Sequence, residues 1–305
     1  MMKTYVAEEM PELFWQLIAE NGWNEFFCSQ PGKEAEIIII RTNTKIDREY
    51  LTGFPDLKLL IRAGSGYDNI DIKAALEMGI HVCNTPEANA ISAYEHTLSL
   101  IFALLKQHRK AQKNILNGMW KFGLQPNWEF SDLKALIVGV GRVGSRIARA
   151  LKCFGAEVRG VDPYLTQAEW EERNIRPCEY AIGLKWCNLI SYHCPLTHET
   201  SNYFNENTLT SLQHPVWLIN TARGGIVCEM AVKKGLQNNR ILGFAADVFS
   251  VEPFLKNELS NLDQVILTPH IGSFTERAKE RLSVETLAAW KAFASGRRIL
   301  NPIIF

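Results

Sequence analysis

The chain has 305 residues, 47% hydrophobic and 22% charged, with 20 Gly and 12 Pro. That composition belongs to ordinary globular domains and excludes collagen-like, low-complexity and disordered chains. Thirty-three basic residues balance thirty-three acidic ones, so no overall field draws in a nucleic-acid backbone or an anionic membrane surface, and at roughly 150 residues per domain the length predicts two domains.

Seven cysteines, at 28, 83, 153, 178, 187, 194 and 228, form no C-x-x-C pair and are odd in number, which argues against a structural zinc and a closed disulfide framework. No metal and a reduced compartment are expected. Glu8, Glu9, Pro11 and Glu12 stand where a signal peptide needs an apolar stretch. The most apolar run, residues 98–105, falls far short of the ~20 residues that span a bilayer. The expectation is a cytoplasmic protein that works neither on nucleic acid nor in a membrane.

Taken in chain order, short apolar runs of strand length alternate with helical patterns, the signature of βαβ units. Strands are predicted at 4–7, 36–40, 58–61 and 81–83, with a helix at 72–78 between the last two. Residues 92–116 follow, with Leu98, Ile101, Phe102 and Leu105 at helical spacing, and predict one long helix near a domain boundary. Gly118, Gly123 and Pro126 among Trp120, Phe122 and Trp128 make 118–131 an irregular connector packed down by its aromatics. A second series places strands at 135–138, 157–161, 189–193, 216–220, 243–246 and 265–268, six in all and enough for a dinucleotide-binding sheet. After Ile271 only a helical pattern to Phe293 and a short tail remain, so the tail is expected to return to the first domain. The fold class is α/β, with two doubly wound parallel-sheet domains. A Rossmann cofactor domain at 93–276 is inserted into a flavodoxin-like substrate domain at 1–92 and 277–305.

Gly139-Val140-Gly141-Arg142-Val143-Gly144 follows the strand at 135–138 and opens a helical pattern, and Asp162 ends the next strand 18 residues after Gly144. Together these make the complete dinucleotide fingerprint in its βαβ setting. The glycines let the chain turn tightly against a pyrophosphate at the helix N-terminus, while the carboxylate accepts hydrogen bonds from ribose hydroxyls. A 2′-phosphate would meet Asp162 as a like charge, and Pro163-Tyr164 supply no Arg, so NAD is favoured over NADP.

Open α/β sheets bind ligands beyond the carboxyl ends of their strands. There the second series delivers Asp162, Cys194-Pro195, Thr221-Ala222-Arg223, Asp247 and His270, and the first delivers Arg41, Arg62, Ser65-Gly66 and Asn84. Three arginines and a histidine beside a nicotinamide suit a small anionic substrate. An Arg fork can fix a carboxylate and polarise a carbonyl, and a His titrating near neutrality can move a proton while hydride moves. Glu252, on a loop after the fifth strand, is the carboxylate expected to raise the pKa of His270. His96 and Glu95 read as packing residues at a helix start, His193 as a lining of the cofactor groove, and Cys194 as a small cofactor wall. Arg41 and Arg62 suit phosphate binding or interdomain ion pairs equally.

In combination these stretches resemble the D-isomer-specific 2-hydroxyacid dehydrogenase family. They are RAGSGYDNID at 62–71, NTP at 84–86, AYEHT at 93–97, the Gly139 fingerprint, HCPLT at 193–197, NTARGGIV at 220–227, DVFSVEP at 247–253 and TPHIGS at 268–273. The resemblance implies a two-domain enzyme, commonly a homodimer, that moves hydride between a D-2-hydroxy acid and NAD, with Arg223, Glu252 and His270 as catalytic residues. It implies cofactor contacts from Ser65, Gly139, Gly141, Arg142, Val143, Gly144, Asp162, His193, Cys194, Pro195, Thr221, Ala222, Asp247, Gly272 and Ser273. Residues 40–45 and 61–64 resemble the anion-binding stretches of members that act on 3-phosphoglycerate. That makes Arg41, Arg62, Ser65, Gly66, Arg223 and His270 the expected substrate contacts, and a step of serine biosynthesis the expected role. Glu87-Ala88-Asn89 departs from those members, whose turn there is more often small or neutral. Neither a regulatory domain nor inhibition by serine is expected. The alternatives are reduction of glyoxylate, hydroxypyruvate or another 2-keto acid, an NADH-sensing interaction protein on the same fold, and a methyltransferase.

Overall fold

The computed structural model describes residues 2–303. The chain divides into two compact units, Met1–Ser92 with Ser273–Phe305, and Ala93–Gly272.

The first unit is built on five parallel strands: β1 (Thr4–Val6), β2 (Phe27–Cys28), β3 (Ile37–Ile40), β4 (Leu59–Arg62) and β5 (His81–Asn84). Their spatial order is β2-β1-β3-β4-β5, the flavodoxin order, which reverses direction between β1 and β3. All four isoleucines of β3 are fully buried, Ile37 and Ile39 in one core and Ile38 and Ile40 in the other. An unbroken apolar run is what a parallel strand covered on both faces requires. The helix Glu276–Ala294 packs on this sheet through Leu282, Leu287 and Trp290, and the buried Trp290 donates its indole N–H to Thr4 Oγ1 at 2.8 Å. The last helix of the chain therefore completes the core that the first strand begins.

The second unit holds seven parallel strands: β6 (Lys134–Val138), β7 (Glu157–Val161), β8 (Arg176–Pro177), β9 (Leu189–Tyr192), β10 (Val216–Asn220), β11 (Ile241–Ala246) and β12 (Val265–Leu267). Their order is β12-β11-β10-β9-β6-β7-β8, so the sheet reverses between β6 and β9. Leu136 and Val138 point into one apolar core, Ala135 and Ile137 into the other.

Three sequence expectations need correction. The sheets gain β2 and β8, two-residue edge strands too short to show a period of two. In β8 one of the two residues is Pro177, which has no N–H for a ladder and is tolerated at an edge. The single helix at 92–116 is two helices, Ala90–Leu105 and His108–Leu116, parted by Gln107 in the left-handed region at φ 51°. The Gln107 amide explains the break. It donates to the Gln125 carbonyl at 2.7 Å and to Asn127 Oδ1 at 2.9 Å, so the connector docks on the kink. That connector is held by such polar bonds and by one of its three expected aromatics. Trp128 packs against the second core, whereas Trp120 and Phe122 are 70% and 75% exposed. Among the described residues no helix is long and apolar enough to cross a membrane.

Candidate functional site

The Gly139 turn sits where the second sheet reverses. Gly139 adopts φ 87°, and a Cβ on it would lie 2.5 Å from the Cys194 N at the end of β9. A Cβ on Gly144 would lie 1.9 Å from the Gly139 carbonyl oxygen, so the glycine lets the helix Arg142–Cys153 close down on the turn. Gly141 is different. It heads that helix with no side-chain cap, and among the described residues nothing lies within 4 Å of where its Cβ would be. The leading amides of an α-helix have no partner within it and attract anions. Asp162 Oδ2 accepts from the Val140 N–H at 2.9 Å and Oδ1 from the Tyr164 N–H at 3.1 Å. One lone pair on each oxygen remains for a ribose hydroxyl. An open helix start beside an oriented carboxylate fits a dinucleotide. Arg142 is exposed and Val143 half-buried on the same first turn.

Cys194 and His193 close the floor of this turn. Burial pushes the Cys194 thiol up to about 11, which leaves it protonated and unreactive at neutral pH. Burial pulls the His193 imidazole down to about 3; its Nε2 pairs with Ser191 Oγ at 2.8 Å, and its buried Nδ1 has no partner among the described residues. A neutral, fixed imidazole is a wall, not an acid. Pro195 is exposed, and its carbonyl accepts from the Thr200 hydroxyl at 2.6 Å.

Two of the three expected catalytic side chains are directly joined. His270 Nδ1 lies 2.7 Å from Glu252 Oε2, while Glu252 Oε1 accepts from the Phe249 N–H at 2.9 Å. The carboxylate is thus oriented by the backbone before it meets the imidazole. Arg223 follows β10, and its Nη1 donates to the Ala222 carbonyl at 2.6 Å. Its neighbour Gly224 lies against the backbone of Phe249, where a Cβ would sit 1.8 Å from the carbonyl carbon. The Arg223 turn and the Glu252 loop are consequently in backbone contact.

His270 itself has φ 53°, a region costly for any residue with a Cβ. Asp247, 2% exposed, holds it there. Its Oδ1 accepts from the Thr268 hydroxyl at 2.6 Å and the Ile271 N–H at 2.9 Å, and its Oδ2 from the Gly272 N–H at 2.7 Å. His96 Nε2 reaches both Thr268 Oγ1, at 3.0 Å, and Asp247 Oδ1, at 3.3 Å. Burial pushes the Asp247 carboxyl up, but the bonds from His96, Thr268, Ile271 and Gly272 outweigh it and the net shift is downward. Thr221 is engaged likewise, its hydroxyl 2.8 Å from that of the buried Thr97. Ala222 N–H donates to Asn220 Oδ1 at 3.2 Å. Ser273 begins the returning segment of the first unit.

In the first unit the strand ends carry Arg41, Arg62, Ser65 and Gly66. Arg41 Nη1 donates to the Glu9 carbonyl at 3.0 Å. Arg62, 8% exposed, donates to the Ala63 carbonyl at 3.1 Å and to Thr42 Oγ1 at 3.4 Å. Ser65 Oγ donates to the Pro86 carbonyl at 3.2 Å, and Gly66 is half-buried beside it. Glu8, not among the residues expected from the sequence, also belongs to this region. From the end of β1 its carboxylate accepts the N–H groups of Arg41, Thr42, Asn43 and Thr44 at 2.8 to 3.1 Å. The signal was present, since an acid directly after the first strand lies at the reversal of that sheet.

An open parallel sheet with a glycine turn at its reversal, an acidic second strand end and a paired His and Glu defines a dinucleotide-binding α/β fold. The family described as D-isomer specific 2-hydroxyacid dehydrogenase, NAD binding domain, matches residues 98–272, and the chain belongs to that family. The D-3-phosphoglycerate dehydrogenase of Bacillus subtilis (strain 168) is 34% identical over 268 residues, 88% of this chain and 51% of that protein. The chain thus spans about half the length of the curated relatives it matches. Among solved structures, D-lactate dehydrogenase from Aquifex aeolicus, complexed with NAD and lactic acid, aligns with a TM-score of 0.84 at 27% identity, covering 96% of this chain and 95% of its own. A glyoxylate reductase from Paecilomyes thermophila shares the fold, with a TM-score of 0.87 at 21% identity over 99% and 98% of the two chains.

Proposed function

We propose that this chain is an NAD-dependent dehydrogenase interconverting a D-2-hydroxy acid and its 2-keto acid, with 3-phosphoglycerate as the preferred substrate. The observation that carries the reading is the 2.7 Å contact between His270 Nδ1 and Glu252 Oε2, in the unit that also bears the dinucleotide fingerprint. Bound NAD would supply the hydride acceptor. When the imidazole donates Nδ1–H to Glu252, Nε2 keeps the lone pair that takes the proton of the substrate hydroxyl, and the carboxylate stabilises the imidazolium that forms. Arg223 would hold the substrate carboxylate through its planar fork. In this reading residues 93–276 form the NAD-binding domain and 1–92 with 277–305 the substrate domain, where Arg41, Arg62, Ser65 and Gly66 receive the acid.

The named relatives and the Arg41 and Arg62 positions support the phosphorylated substrate. Because Glu8 already occupies the amides of residues 41–44, side chains rather than backbone would grip the phosphate. A 2-keto acid reductase acting on lactate- or glyoxylate-sized acids is the second reading, supported by the likeness to the D-lactate dehydrogenase at 27% identity over 96% of this chain. NADH absorbance at alkaline pH with 3-phosphoglycerate, glycerate and lactate tests the activity, and no turnover with any 2-hydroxy or 2-keto acid sinks it. Arg62→Ala should raise KM for 3-phosphoglycerate far more than for glycerate; equal effects defeat the phosphate assignment.

We further infer a cytoplasmic homodimer. Ile115, Leu116, Trp120 and Phe122 leave four large apolar side chains exposed within eight residues of chain, and clustered apolar exposure is a mark of association sites. Light scattering should report a dimer for the unsubstituted chain and a monomer for Trp120→Asp with Phe122→Asp.

A further inference from the structure

The strands paired with β6 are β7 and β9, so the loops that follow those two strands flank the Gly139 turn on either side. A hydrogen bond joins them across it. Tyr164, on the loop after β7, donates its phenol O–H to Glu199 Oε2, on the loop after β9, at 3.1 Å. Both ends are braced. The Tyr164 N–H is bound to Asp162 Oδ1, and Thr200, next to Glu199, donates its hydroxyl to the Pro195 carbonyl at 2.6 Å while that hydroxyl accepts the Thr197 N–H at 2.8 Å. The phenol pKa is held above its ordinary value by the bond to Glu199 first, then by the Glu199 charge, with a further contribution from the charge of Asp162. The two carboxylates therefore act on one phenol from the two sides of the glycine turn. Residues 162–166 and 194–203 contain no Lys or Arg, and their one titratable cation, His198, is exposed to water.

We infer that Glu199, held in place by Tyr164, is a second carboxylate that selects the dinucleotide by repelling a 2′-phosphate. This rests on the dinucleotide-binding reading above and adds a residue outside the fingerprint. With Asp162 alone, one neutralising substitution would remove the charge barrier; with Glu199 opposite, the barrier has two parts. An exposed charge acting through water contributes modestly and is weakened by salt.

Direct binding of NADH and of NADPH to the purified chain, followed by calorimetry at low ionic strength and about pH 8, where a typical His is neutral, tests the inference. Glu199→Gln keeps an acceptor for the phenol but removes the charge. It should tighten NADPH by about 3- to 10-fold and leave NADH within about twofold. Asp162→Asn combined with Glu199→Gln should admit NADPH better than either alone, and Tyr164→Phe, which releases Glu199, should shift the ratio in the same direction by less. High salt should shrink the discrimination of the unsubstituted chain. If NADH binds and Glu199→Gln leaves the NADPH-to-NADH ratio unchanged, the inference is overturned while the dinucleotide reading stands. If the unsubstituted chain binds no NADH, both fall.

Discussion

Each sheet reverses direction once, and the two reversals are finished in opposite ways. In the second unit the turn after β6 leads into a helix whose first residue positions face open space at Gly141 and are capped by no side chain. In the first unit the turn after β3 has its amides at 41–44 filled by the carboxylate of Glu8. Backbone amides beyond a sheet's reversal are thus either left open at a helix start or satisfied by a carboxylate of the chain itself. A reversal point is therefore a place where a ligand fits only if the chain has not supplied its own substitute. The second unit presents an open helix start and a preassembled His and Glu pair, and the first presents Arg41 on a turn braced by an internal carboxylate.

The largest expected effect removes the chemistry of the second unit while leaving its open turn intact. His270→Asn should lower turnover by about 10²- to 10⁴-fold, the usual contribution of a general acid or base, with NADH affinity retained. A fully active variant rejects the assignment. Next comes a contrast between two glycines of the open turn. Gly144→Ala puts a methyl 1.9 Å from a carbonyl oxygen and should cost about 1–3 kcal/mol in denaturant unfolding. Gly141→Ala meets nothing, so it should leave stability near that of the parent and weaken NADH instead. Equal stability losses in the two variants would erase the distinction between a packed and an open position.

The smallest effect probes the filled turn. Burial pushes the Glu8 carboxyl up, but the N–H bonds from Asn43, Thr44 and Arg41 outweigh it, and its net shift is downward. A carboxyl with a lowered native pKa binds its proton more weakly folded than unfolded. Its stabilisation is therefore complete above the unfolded value near 4.3 and is lost as pH falls through the native one. Urea unfolding of Glu8→Gln should show a loss of about 1–2 kcal/mol at neutral pH that disappears in acid. An equal deficit at both pH values would mean that the charge is not what the four amides recognise.

Much of the fold was legible because the cues are local. The alternation of short apolar runs with helical patterns located ten of the strands, and the four isoleucines at 37–40 announced a strand buried on both faces. Edge strands β2 and β8 escaped because two residues carry no period. The helix break at Gln107 escaped because its cause lies in Gln125 and Asn127, nearly twenty residues away. In the site, residue types at and just after the strand ends pointed to Arg223, Glu252 and His270, and to Glu252 as the partner of His270, but not to Asp247 as the residue that holds the His270 turn.

The sequence by itself determined the class of fold, the glycine turn with its acid at Asp162, and the residue types that reach the strand ends, since each depends on spacing along one strand or one turn. Only the tertiary structure decided the 2.7 Å geometry of the expected Glu252–His270 pair, that Asp247 with His96 and Thr268 holds the His270 turn in its left-handed conformation, and that Glu8 closes the turn at residues 41–44. These bonds join residues 18 to 172 positions apart in the chain. A hydrogen bond reaching about 3 Å is set by how sheets and helices pack, which no local pattern records.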